Sequence, residues 1–147
     1  MMSVETAVDP VAVANRLRPV LLQLNRELRR EIHSLGVTGG QVSLLVQVQR
    51  QPGIGIGELA ERERMSAPGM SKYISRLEAA GLVGRVAVPD RRRFGVRLTD
   101  EGERVLRSVK NRRTAWLAAR LRELTHAERE AVDAAIEPLM RLMEVQP

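Results

Sequence analysis

The sequence predicts a mostly α-helical chain with one small β-hairpin, on three observations. Leucines recur at three- and four-residue steps toward both ends, two short capped helical segments adjoin in the middle, and a basic turn separates two strand-like runs. The 147 residues, 44% hydrophobic and 2% aromatic, supply one packed core, because a chain of this size buries roughly 70% of its unfolded surface. The chain has no Cys. That excludes thiolate catalysis, thiol redox sensing and Cys-ligated zinc, and it fits a reducing compartment.

Asp9 before Pro10 reads as an N-cap with Pro in the first turn, and Leu17, Leu21, Leu24, Leu28, Ile32 and Leu35 then form the apolar face of a helix over residues 10–35. Pro19 falls inside it, where the missing N–H and the ring kink the helix or restart it. Gly36 ends it. Thr38 and Gln41 have the spacing of a capping box and open a second helix through Val42, Leu45 and Val48, stopped by Pro52 and Gly53. Glu58 to Glu63 forms a short third helix, and Arg64 and Met65 a brief connection. Ser66 caps a fourth helix, with Pro68 in its first turn and Met70, Tyr73, Ile74 and Leu77 on its buried face. Gly81 takes the left-handed position after it.

Two short helices joined by so brief a turn suggest helix-turn-helix. Residues 82–88 and 94–98 are strand-like around Pro89, Asp90, Arg91, Arg92 and Arg93, a hairpin with a basic tip. Thr99 opens a fifth helix with Asp100, Glu101 and Glu103 near its positive dipole end, continuing through Val105, Leu106, Val109 and Trp116. Thr125 and Glu128 form a second capping box, opening a last helix through Val132, Ile136, Leu139, Leu142 and Met143 that Pro138 interrupts.

Lys and Arg number 24 against 18 Asp and Glu, for a formal charge of +6, and the pI near 11.1 points to a polyanionic partner. Only Lys72 and Lys110 are lysines, so 24 less 2 leaves 22 Arg. Biased genomic base composition explains that choice as well as guanidinium-specific recognition does. Met1 to Pro10 lacks a basic start followed by an apolar run, so no signal peptide is expected, and no stretch reaches the ~18 apolar residues of a membrane helix. The expected location is cytoplasmic, with no membrane partner.

The order helix, helix, short helix, capped helix, two-stranded wing places a DNA-reading unit in the middle of the chain. The residues that carry it are Thr38 with Gln41; Glu58, Leu59 and Ala60; Arg76, Leu77 and Glu78; Gly81, Leu82, Val83 and Arg85. With them stand Asp90, Arg91 and Arg92, then Arg97, Leu98, Thr99, Glu101 and Gly102. Over nearly the whole chain this pattern resembles the MarR family of winged-helix transcription regulators. The resemblance implies one domain over 1–147, with dimerisation helices at 10–35 and 99–146 flanking a winged helix-turn-helix lobe at 38–98. It also implies a homodimer on a pseudo-palindromic site in double-stranded DNA, usually repressing, and released by a small aromatic or anionic effector whose pocket residues do not transfer.

By the same resemblance Asp90 holds Arg92 for the minor groove, while Arg91 and Arg93 meet phosphates. The chemistry agrees, since a narrow groove concentrates negative potential and a guanidinium enters it with less hydration to lose than an ammonium. Ser66, Pro68, Gly69, Ser71, Lys72, Ser75 and Arg76 give the fourth helix a small, polar face suited to a major groove, and Arg85 joins the DNA-contacting set. Between Arg85 and Asp90 the run Val86, Ala87, Val88, Pro89 is about one residue shorter than usual in that family and is apolar, which implies a shorter reach. Leu17, Leu21, Leu24, Leu28, Trp116, Leu139 and Leu142 are expected at the dimer seam, because isolated arms would expose their leucines, and two-fold symmetry predicts half-sites about 10 bp apart.

Gly55, Gly57 and Ala60, with Glu78 downstream, match a dinucleotide fingerprint, but no full strand precedes them and Glu78 lies inside a helix. A tight connection is expected instead. His33 and His126 are too far apart for a helical zinc pair, so neither a metal, a cofactor nor catalysis is expected; His126 reads as a surface residue and His33 as interface or solvent. Trp116 is an aromatic anchor at the seam or a ligand contact. The rival reading is a winged-helix module that no longer reads an operator, acting as a protein scaffold or as a charge-driven DNA coater.

Overall fold

The computed structural model describes residues 7–89 and 94–144, so the expectations placed on Asp90, Arg91, Arg92 and Arg93 lie outside the described residues. α1 spans Pro10–Arg30, with the Asp9 carboxylate accepting the Val11 N–H at 3.2 Å. Pro19 does not divide it. The N–H that proline lacks would have bonded the carbonyl of Asn15, an exposed residue whose carbonyl can turn to water, so the helix continues at the loss of one bond. α1 stops at Arg30, short of the expected residue 35, and a 3₁₀ turn follows over His33–Leu35, closed by Gly36 at φ 75. The tighter turn brings Ile32 and Val37 into the core, where both are buried.

α2 (Gly39–Arg50) carries the reciprocal capping box: Gln41 N–H donates to Thr38 Oγ1 at 3.1 Å, and Thr38 N–H donates to Gln41 Oε1 at 2.9 Å. β1 (Ile54–Gly55) follows, then α3 (Ile56–Arg62), α4 (Ala67–Ala79), β2 (Val83–Ala87) and β3 (Phe94–Leu98). The sheet is antiparallel in the order β1-β3-β2, with Ile54 opposite Val96 and Val83 opposite Leu98. The expected hairpin thus has a third strand. Gly55 is paired inside that strand and also precedes α3, so the dinucleotide pattern has no parallel β-α-β unit around it.

α5 (Asp100–Arg122) starts at Thr99, whose Oγ1 accepts the Gly102 N–H at 3.0 Å and donates to the Gly81 carbonyl at 2.5 Å. α6 (His126–Glu144) opens with Thr125 and Glu128 bonded reciprocally, at 2.9 and 3.2 Å. The Thr125 backbone N–H, and after it the Thr125 hydroxyl, hold the Glu128 carboxyl below its ordinary range. Pro138 leaves α6 undivided for the same reason as Pro19, since Ala134, whose carbonyl it frees, is an exposed residue.

Leu45, Val48, Leu59, Ile74, Leu77 and Val96 fill one core beneath the sheet, joined by Ile32 from the turn after α1 and by Leu106 and Val109 from the first half of α5. Gly102 sits tight against this core, where a Cβ would lie 2.1 Å from the Leu82 carbonyl oxygen. No residue of α1 or α6 is fully buried within the chain. Val20 is 51% exposed and Leu142 60%. A long amphipathic helix with an uncovered apolar stripe is stable only when something covers the stripe.

Candidate nucleic-acid interface

α4 is set by its cap: Ser66 Oγ accepts the Gly69 N–H at 3.1 Å, and its first turn holds no acidic residue. Met70, Ile74 and Leu77 anchor it to the core, which turns the opposite edge outward. On that edge Ser66, Pro68, Lys72, Ser75 and Arg76 are exposed, and Gly69 and Ser71 are half-buried. Lys72 and Arg76 make no ion pair among the described residues, so the edge combines small side chains, unspent cations and the positive end of a helix dipole. This arrangement can approach a polyanion closely.

Ser75 and Arg85 differ from their neighbours. Ser75 Oγ donates to the Ser71 carbonyl at 3.0 Å and accepts from Arg85 Nη2 at 2.9 Å, while Arg85 Nε donates to Glu78 Oε1 at 3.4 Å. Sequence reasoning places both side chains on DNA; the structure directs them to each other. Sequence reasoning also treats Arg64 only as connection. It stands exposed at φ 54 in the turn leading into α4, a left-handed backbone unusual for a residue with a Cβ. The signal is present in the sequence as a cation inside the turn of a helix-turn-helix. Phe94, 57% exposed where β3 begins, places an aromatic ring at the outer end of the β2–β3 pairing, opposite Ala87.

Of the expected seam residues, Leu21, Leu24 and Leu142 are exposed, and Leu17, Leu28, Trp116 and Leu139 are partly exposed. Leu24 and Trp116 come together in a cleft of ≈ 660 Å³ between α1, α5 and α6, floored by Leu117, Leu121 and Leu124. The Arg120 guanidinium lies 5.3 Å from the Trp116 ring centroid, within cation–π range. Leu139 and Leu142 lie outside that cleft.

A second cleft, ≈ 650 Å³, separates the arms from the lobe and is lined by Arg29, Ser43, Arg50, Arg62 and Arg113, with no carboxylate. Burial first, and then the like charge of Arg29, hold the Arg113 guanidinium below its ordinary value. Its Nε donates to the Leu28 carbonyl at 3.5 Å. Arg29 lies over Gly39, where a Cβ would come 2.8 Å from the guanidinium Nε. Like charges held together at the start of a helix raise the local potential that an anion would relieve. Among the described residues no group of three His, Cys, Asp or Glu could hold a metal ion, and no helix is long and apolar enough to cross a membrane.

Residues 35–93 match the sequence model of the MarR family. Over 136 residues the chain is 30% identical to an uncharacterised HTH-type transcriptional regulator of Mycobacterium bovis, an alignment covering 92% of this chain and 95% of the relative. The crystal structure of a candidate transcriptional regulator of Pseudomonas aeruginosa superposes with a TM-score of 0.81 at 31% identity, covering 92% of this chain and 97% of that one. A Staphylococcus aureus MepR variant bound to an oligodeoxyribonucleotide shares the fold at a TM-score of 0.69 and 18% identity, covering 89% and 97%. The capped α4, the wing sheet behind it and these likenesses agree: the chain belongs to the MarR family of winged helix-turn-helix transcriptional regulators.

Proposed function

We propose that the protein is a homodimer that occupies a pseudo-palindromic operator in duplex DNA and represses transcription there. The observation that carries this reading is the exposed edge of α4, where Lys72 and Arg76 stand beside small residues with no acid in the first turn. Such an edge fits a major groove, with cations for phosphates and hydroxyls for base edges. The net charge of +6 favours the same partner, and the MepR variant was solved with an oligodeoxyribonucleotide. Action on DNA places the protein in the cytoplasm and requires neither cofactor nor catalysis.

The uncovered leucines of α1 and α6 support pairing of two copies through the arms, which makes residues 1–147 one functional unit: arms at 10–35 and 99–146 around a DNA-reading lobe at 38–98. The wing supplies the second contact, through Asp90 and Arg91 to Arg93. Arg92→Ala is expected to weaken specific binding by roughly 1–3 kcal/mol and to lower the slope of log affinity against log salt by about one. An unchanged isotherm takes the wing out of the interface.

The carboxylate-free cleft between arm and lobe supports release by a small anion, aromatic ones included. Benzoate is expected to weaken duplex binding by the wild type, with a coupling of about 1–3 kcal/mol. Arg113→Gln should abolish that response, as titration of each protein with benzoate before a binding isotherm would show. A variant that answers benzoate as the wild type does places the effector elsewhere.

A further inference from the structure

We propose that Arg85 is a positioning residue that couples the wing to α4, and that it does not itself contact DNA; this rests on the reading of α4 as the DNA-facing helix. Arg85 sits on β2 opposite Val96, half-buried, and its guanidinium reaches back across the lobe to α4. Two of its nitrogens are used there, Nη2 on Ser75 Oγ at 2.9 Å and Nε on Glu78 Oε1 at 3.4 Å. The single Ser75 hydroxyl proton is committed to the Ser71 carbonyl at 3.0 Å, so an oxygen lone pair faces Arg85 and the hydroxyl has no proton left for a base.

The bridge matters because of what else joins these elements. Along the chain α4 passes to β2 through Ala80, Gly81 and Leu82, with Gly81 at φ 78, and Leu77 and Val83 share the core. β3 is anchored near its end by the bond from Thr99 N–H to the Leu82 carbonyl at 3.1 Å. Both of these lie at the base of the hairpin, and β1 holds β3 at Val96 and Gly95 on the side away from β2, so the outer half of β2 is tied to the lobe through its pairing with β3. Arg85 adds a direct tie from the middle of β2 to α4, independent of β3. The angle at which the wing meets DNA is thereby fixed to the seat of α4, so the two contacts read one register instead of two independent ones. A lysine would not substitute, since one ammonium cannot hold two acceptors in the fixed geometry of a guanidinium fork.

The test uses the full-length dimer, with wild type, Arg85→Ala, Arg85→Lys, Ser75→Ala and the Arg85→Ala/Ser75→Ala pair. Hydrogen exchange of the free protein is expected to quicken about tenfold in β2 and β3 of Arg85→Ala and Arg85→Lys, with α2 and α3 unchanged. On a duplex enriched by the wild type, Arg85→Ala should bind about tenfold more weakly at an unchanged salt slope, since no phosphate contact is lost. Its footprint should lose the wing protections and keep those of α4. Ser75→Ala should add little further loss once Arg85 is gone, because both act through one bond. Unchanged strand exchange overturns the clamp whatever the DNA shows. A salt slope lower by about one overturns it too, by making Arg85 a phosphate contact. If the wild type enriches no duplex, the DNA-reading function fails, while the exchange measurement still decides the clamp by itself. Arg85→Lys serves the same reading should Arg85→Ala fail to fold.

Discussion

A chain carrying glutamate at both Leu24 and Leu28 is expected to sediment as a monomer and to bind its duplex 10²- to 10⁴-fold more weakly, on the order of the avidity lost when two linked sites become one. No residue of α1 is fully buried against its own chain, and Leu24 is 39% exposed on a face that also presents Val20 and Leu21. Two carboxylates on that stripe would have to be desolvated without a partner if a second copy covered it, and an unpaired buried charge costs several kcal/mol. The lobe core draws on neither residue, so the monomer should keep its helical content. Sedimentation and circular dichroism of the same sample separate the outcomes. A folded dimer with undiminished affinity moves the seam away from α1.

Gly102→Ala is expected to destabilise the lobe by about 3 kcal/mol or more, at the upper end of what overpacking does. The added methyl would sit 2.1 Å from the Leu82 carbonyl oxygen and 3.5 Å from Leu98 Cβ. The same carbonyl accepts the Thr99 N–H at 3.1 Å, so it cannot retreat without loosening the cap of α5. A control separates the crowding from glycine chemistry in general. Gly57, inside α3, has nothing within 4 Å of the place an added methyl would occupy, and Gly57→Ala should stabilise by roughly 0.5–1 kcal/mol through the lower entropy of the unfolded chain. Urea unfolding of both variants checks the pair, and equal midpoints would refute the close approach.

The parts of the fold written in adjacent residues were legible. Thr38 with Gln41, Ser66, Thr99, and Thr125 with Glu128 each satisfy the first turn of a helix from within four residues, so their identity alone announces the start. Gly36 and Gly81 likewise hold the left-handed geometry that their positions require. What sequence could not show is pairing across distance. β1 is two residues long and owes its existence to Val96, some forty positions away, so no local pattern marks it. Neither Pro19 nor Pro138 ends its helix, and the exposure of Asn15 and Ala134, which lets the freed carbonyls turn to water, is a tertiary fact.

For the site, helical periodicity correctly turned Met70, Ile74 and Leu77 inward and so exposed Ser66, Pro68, Lys72 and Arg76. It could not show that Ser75 and Arg85 meet, since they lie on different elements ten residues apart. The cleft around Arg29 and Arg113 escaped for the same reason, being assembled from α1, α2, α3 and α5. Composition announced an excess of arginine but not where the excess gathers.

The most direct measurement is selection from random duplex DNA by the purified protein at physiological salt, followed by affinities for the enriched and a scrambled duplex. A sequence-specific dimer should enrich a pseudo-palindrome with half-sites about 10 bp apart and prefer it by ~10³ or more. No enrichment, with weak binding of about 10⁻⁴ to 10⁻⁶ M that collapses as salt rises, would replace the operator-reading regulator with a charge-driven coater or a protein scaffold.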